Sequence, residues 1–166
     1  MKVMRPARTS TAAPRRVMPV VDEADKKIIT QLQADGRRSY TAIASAVGLS
    51  EAAVRQRVKG LVDGGVIQIV AVTDPLRLGF GLVAFLALRV SGDIRQVADA
   101  LAEIEEIDYV VLAAGRFDII CEVVCEDNNH LLRLLNDHIR TIPGVSETET
   151  FISLGLHKQT YTWGTR

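Results

Sequence analysis

The hydrophobic period of this chain changes at Gly79, and that change does most to limit its fold. Before Gly79, apolar residues recur at helical spacing in three short blocks. After it, continuous apolar runs alternate with amphipathic stretches. No single layer architecture serves both patterns. The 166 residues suffice for two small domains. A helical unit followed by a sheet-containing one is the expected organisation.

Charge divides the same way. Residues 1–70 hold twelve Lys and Arg against six Asp and Glu, a net +6, which leaves −6 on the remainder. A basic front half suits a polyanion, and the acidic back half would repel one. The longest apolar stretch, 79–88, is ten residues, too short to span a bilayer. The chain therefore reads as cytoplasmic, with no membrane partner. Its two Cys, Cys121 and Cys125, cannot build a disulfide scaffold. On a strand they share one face about 13 Å apart and read as buried core thiols.

Residues 1–20 carry five bases, three Pro and no acid. They read as a disordered basic arm, although the composition also permits a mitochondrial transit peptide. A first helix is expected over 22–34, capped by Asp22 and Asp25, with Ile28, Ile29 and Leu32 inward. A second runs from Ser39 to Val47 and ends at Gly48. A third follows Ser50 over 51–62, with Val54, Val58 and Leu61 buried. The β-branched run 66–72 reads as a strand, and 73–79 as a linker. Strands are then expected at 82–90, 107–113, 117–125 and 145–154, with helices at 93–103 and 127–140. That order is βαββαβ, the ferredoxin-like split arrangement, followed by a tail at 156–166. The expected class is α+β.

The link Gly48-Leu49-Ser50 between two short helices makes a helix-turn-helix candidate. With the stripe of the third helix buried, Ala52, Arg55, Gln56 and Lys59 turn outward. Such side chains suit a DNA major groove: Arg and Lys for guanine or phosphate, Gln for adenine, Ala for a thymine methyl. Arg37, Arg38, Ser39, Tyr40 and Thr41, with Ser50, suit the sugar-phosphate backbone. The same pattern also fits an ordinary three-helix bundle with a solvated basic face. Arg57, at the edge of the stripe, is as readily structural as a base reader.

A second element is Gly115-Arg116-Phe117-Asp118. Gly115 permits an unusual backbone whose amides can face a ligand, and Asp118 offers a carboxylate to an ammonium group. A simple hairpin has the same appearance. His130 and His138 lie eight apart on one helix near Glu126 and Asp127, where a solvated face is the plainer reading than a metal or catalytic site. No phosphate loop, nucleophile elbow or HExxH is present. Neither metal nor cofactor is expected.

These segments, in this order, resemble the leucine-responsive and asparagine regulator (Lrp/AsnC) family of transcription factors. The residues carrying the resemblance are Asp22, Asp25, Ile28, Ile29 and Leu32; Asp35-Gly36-Arg37 and Ser39; Ala44 with Val47-Gly48-Leu49-Ser50; Val54, Arg57, Val58 and Leu61 with Gly65-Val66-Ile67; Gly115 with Phe117-Asp118; and Pro143-Gly144-Val145. The resemblance spans about 21–155. It implies a DNA-binding unit over 21–72 and an oligomerising, effector-sensing unit over 80–155. It further implies homodimers that assemble into octamers, and a small amino-acid effector. Carried over, the effector positions are Gly115, Arg116 and Asp118, with Thr148, Glu149 and Thr150 as the second lining. Ala114 stands where the family usually has Thr, and Phe117 where it often has Tyr. An enzyme, sirohaem decarboxylase, shares this two-domain plan. It would need basic and His residues lining a tetrapyrrole cleft, whereas the back half here is acidic and its three His are scattered.

Overall fold

The computed structural model describes residues 21–162, 164 and 165. The expected basic arm, 1–20, lies outside the described residues. These residues form two compact units, one comprising 21–72 with the chain end from His157, the other Thr73–Leu156.

The first unit is a trio of helices whose ends are written in side chains. α1 (Glu23–Ala34) starts at Asp22, whose carboxylate accepts from the Asp25 amide at 2.8 Å while the Asp25 carboxylate accepts from the Asp22 amide at 3.2 Å. Two orphan donors of the first turn are thereby satisfied reciprocally. α2 (Tyr40–Val47) is capped by Ser39 and closed by Gly48 at φ +73°, a left-handed conformation that costs glycine nothing. α3 (Glu51–Asp63) begins at once, capped by Ser50. Ile28, Leu32, Ile43, Ala44, Val54 and Val58 meet in the core between the three. Each large apolar side chain buried there stabilises the unit by about 1.5–3 kcal/mol.

The strand expected at 66–72 does not form; the segment has no regular secondary structure. A β-branched run becomes a strand only where a neighbour supplies the ladder. Among the described residues none does, and Ile69, Val70 and Val72 stay exposed. A short 3-10 turn, Pro75–Leu78, precedes the second unit.

The second unit is β1 (Leu82–Val90), α4 (Ile94–Ala102), β2 (Ile107–Leu112), β3 (Ile119–Cys125), α5 (Asn128–Arg133) and β4 (Val145–Ile152). This is the βαββαβ order. The sheet runs β2-β3-β1-β4, with every neighbouring pair antiparallel. β1 lies between two partners because its residues are apolar on both faces, as a central strand requires. Ala84, Leu86 and Leu88 pair with Val123, Cys121 and Ile119, and this face packs on Val97, Leu101 and Leu131. Cys121 and Cys125 are free and buried there, and burial pushes the Cys121 thiol up to about 12. The other face carries Phe85, Tyr109, Ile120 and Phe151, all exposed in the single chain.

The helix expected over 127–140 is not one regular helix. After Arg133 the chain widens into a π-type segment, Leu134–Ile139. The wider turn puts residues five apart on one face, so Leu134 and Ile139 are both buried. His138 is left exposed, whereas His130 is partly covered and contacts Glu106 at 3.0 Å.

Candidate nucleic-acid interface and effector loop

In the first unit, Val54, Val58 and Leu61 occupy the buried side of α3. Ala52, Arg55, Gln56 and Lys59 are exposed on the rest of it. Ser50 is spent on the cap, accepting from the Ala53 amide at 3.2 Å. Ser39 does the same for Ala42. Arg37 is exposed and Arg38 half-buried, and neither side chain has an ion-pair partner among the described residues. Their backbone is fixed instead: the Arg37 amide donates to the Asp35 carboxylate, and the Arg38 amide to the Asp35 carbonyl. Lys59 pairs with Asp63 one turn on.

Arg55 is held from two sides. It donates to Glu51 at 2.7 Å, and its guanidinium carbon stands 5.1 Å from the centroid of the Tyr40 ring. Glu51 also accepts from the Thr41 hydroxyl at 2.8 Å. The Thr41 hydrogen bond, then that of Arg55, holds the Glu51 carboxyl below its usual range. The sequence reading missed Glu51. Its Glu-to-Arg spacing of four residues was a visible signal, but the contact with Thr41 joins two helices and shows only in the fold.

Arg57 does not join this face. One of its terminal nitrogens donates to Asp22 and to Asp25, each at 2.8 Å. The two acids that cap α1 thus also grip α3. The Asp25 amide, then Arg57, keeps the Asp22 carboxyl low, and the same two carboxylates raise the Arg57 guanidinium. Arg57 is a structural clamp in this arrangement.

In the second unit, the loop between β2 and β3 is closed by the Ala113 amide donating to the Asp118 carbonyl at 2.8 Å. Among the described residues, the amides of Ala114, Gly115, Arg116 and Phe117 make no hydrogen bond within the chain. The unusual backbone expected at Gly115 is absent: it is not among the glycines at positive φ, and a Cβ added there would meet nothing within 4 Å. Arg116 lays its guanidinium over the Phe117 ring at 5.2 Å, while its carbonyl accepts from Arg89 at 3.1 Å. Asp118 is partly committed, since one carboxylate oxygen accepts from the Val90 amide at 2.8 Å. That bond ties the loop to β1 and leaves the second oxygen to act.

The three residues expected as a second lining do not point one way. Thr148 and Thr150 pair with Leu88 and Leu86, so they share the helix-covered face. Glu149 pairs with Ala87 and faces the opposite side. Thr148 also accepts from the Arg140 guanidinium at 3.2 Å. Leu88 lies between Thr148 and Ile119, which places the loop and Thr148 two strands apart, about 10 Å. Among the described residues no His, Cys, Asp or Glu cluster could hold a metal ion, and no helix is long and apolar enough to cross a membrane.

Residues 21–62 match the AsnC-type helix-turn-helix domain, and residues 84–166 match a C-terminal dimeric alpha+beta barrel domain of AsnC-type regulators. An uncharacterized HTH-type transcriptional regulator of Pyrococcus furiosus is 38% identical over 147 residues, covering 87% of this chain and 97% of that protein. The HTH-type transcriptional regulator FL11 of Pyrococcus horikoshii is 37% identical over 142 residues, with 84% and 93% covered. Among solved structures, a transcriptional regulator of Neisseria meningitidis in complex with L-Met superposes with a TM-score of 0.73 at 26% identity, covering 84% of this chain and 93% of that one.

Proposed function

The chain belongs to the Lrp/AsnC family of helix-turn-helix transcriptional regulators, and from that premise we propose that it reads duplex DNA as a two-fold dimer through α3 and tunes this binding to a small amino-acid effector at the Gly115–Asp118 loop. It is a regulator and not an enzyme, so the sirohaem decarboxylase reading falls away.

The observation that carries the DNA reading is the division of α3. Its apolar stripe is wholly committed to the core, while Ala52, Arg55, Gln56 and Lys59 stand exposed beside Arg37, Tyr40 and Thr41 of the preceding turn and helix. Two such heads in a dimer bind half-sites about one helical turn apart or a multiple of it. Arg37 and Arg38 supply phosphate contacts that position the head, and Arg55 and Gln56 read base edges.

Three observations support an effector at the loop. Four successive amides from Ala114 to Phe117 lack partners among the described residues, which suits a carboxylate. The second Asp118 oxygen suits an ammonium group. The Neisseria relative was crystallised with L-Met. Thr148 and Thr150 add hydroxyls from a neighbouring dimer, Arg116 stands at the rim while Glu149, on the opposite sheet face, falls outside the site, and dimers joined through such sites assemble into octamers. Ligand binding across an assembly contact couples to DNA geometry by linkage.

Two measurements test the reading. Fluorescence anisotropy on duplexes selected by the wild type should show Arg55→Ala and Gln56→Ala relaxing base preference, by about 1–3 kcal/mol for each good contact. Arg37→Ala and Arg38→Ala should weaken all sequences alike and flatten the salt dependence. Unchanged binding in all four overturns the docking. Titration calorimetry with the twenty amino acids should give heat with at least one of them. Asp118→Asn, which keeps an acceptor for the Val90 amide, should lose that heat; binding that survives places the effector elsewhere.

A further inference from the structure

Arg55 is the longest side chain on the exposed face of α3, and a free arginine there would sample many rotamers and reach any phosphate. The structure does not leave it free. One oxygen of Glu51 takes its terminal nitrogen at 2.7 Å, and the other takes the Thr41 hydroxyl at 2.8 Å. The guanidinium carbon stands over the Tyr40 ring. Two elements, α2 and α3, therefore fix one guanidinium, whose remaining donors keep the planar fork that matches a guanine edge. Glu51 is also an acid on the exposed face that carries Arg55 and Lys59.

We propose that Glu51 is a positioning residue that sets base specificity: it aims Arg55 at a base edge and holds down indiscriminate phosphate binding. The physical argument has two parts. A guanidinium locked before docking loses less freedom on forming a base contact than one that must be ordered then. A carboxylate beside the sugar-phosphate path also repels phosphate, so binding to arbitrary sequence is weakened more than binding to a site where Arg55 gains a base. A merely structural Glu51 would act differently. It would support the start of α3 and one surface ion pair, and its loss would lower the melting temperature without touching sequence preference.

The inference rests on Arg55 reading bases, so Arg55→Ala is measured alongside. Full-length wild type, Glu51→Gln, Thr41→Val and Arg55→Ala are each used to select from a duplex pool with a randomised centre. Anisotropy is then followed against salt on the selected and unselected duplexes. Glu51→Gln should bind the unselected pool more tightly. Its preference should fall about tenfold at the positions that Arg55→Ala flattens, the size of one good base contact. Its salt slope should steepen by about one, as the released arginine takes a phosphate. Thr41→Val removes a tether but no charge, so it should relax preference at the same positions with the wild-type slope. It also keeps the acid at the start of α3, so the test stands if Glu51→Gln folds poorly. Wild-type preference and slope in both variants overturn the role of Glu51, while a flattened Arg55→Ala leaves the docking intact. If Arg55→Ala itself keeps wild-type preference, the docking reading fails first.

Discussion

Gly81 is where the second unit should be most sensitive to a single methyl. Its amide donates to the Cys125 carbonyl at 3.0 Å, so the entry to β1 runs hard against the end of β3. A Cβ at this position would stand 2.1 Å from the Glu126 carbonyl oxygen and 3.0 Å from its carbon. These are backbone atoms, which cannot swing away as a side chain can. Relief requires a backbone shift of about 1 Å across two strand ends, and overpacking of this kind costs about 1–3 kcal/mol. In a domain of this size each kcal/mol lowers the melting temperature by about 4–8 °C. Gly81→Ala should therefore melt roughly 5–20 °C below wild type in differential scanning calorimetry. Gly115→Ala is the matched control. Nothing lies within 4 Å of its Cβ and its φ is not positive, so lower chain entropy in the unfolded state should make it neutral or about 0.4–1 kcal/mol more stable. Equal melting temperatures for the two variants would refute the steric reasoning.

Glu122 sits half-buried between Phe85 and Tyr109 by strand register, and burial, then the charge of Asp108, raises its carboxyl above the ordinary value. A raised carboxyl holds its proton longer in the folded state. Its contribution is full below the ordinary value and is lost as pH climbs through the raised one. Glu122→Gln should thus melt higher than wild type at neutral pH and the same in acid; a lower melting temperature at neutral pH would show a favourable ionised role. Arg57→Gln should lower the melting temperature of the first unit and leave base preference unaltered in duplex selection, and altered preference would make Arg57 a reader after all. Phe85→Asp, on the uncovered face of the sheet, should break the dimer contact and lower the mass of the full chain on light scattering; an unchanged mass would put the dimer contact elsewhere.

Much of this molecule was legible because its punctuation is local. Asp22, Ser39 and Ser50 cap the helices they precede, and Gly48 takes the left-handed turn. The buried stripes of α1 and α3 are those that helical spacing marks. The α+β class and the βαββαβ order followed from where the period changed. What was not legible depends on partners. The run 66–72 has strand-forming residues but no neighbouring strand in its unit. Gly115 resembles a conformational glycine, yet it is not among the described glycines at positive φ. Thr148, Glu149 and Thr150 are contiguous in sequence, but the alternation of a strand divides them between two faces. Glu51 gives no sign of Thr41 in the sequence, since only the packing of α2 against α3 brings the two together.

The wide turn at Leu134–Ile139 has a consequence for how this protein can change length. An α-helix interior ordinarily forbids gain or loss of one residue, because everything beyond the change rotates by about 100°. A π-type turn is that rotation already absorbed, one residue spread into the ladder. Loss of the exposed Asn136 would close the turn to an α one and keep both flanks in phase. Leu131 would stay inward on one side and Ile139 on the other, while Arg140 would lose its bond to the Asn136 amide oxygen and keep the one to Thr148. Length variation in proteins is usually confined to loops. Here a place in the middle of a helix is open to it, and relatives one residue shorter at this point would keep the same face toward the sheet.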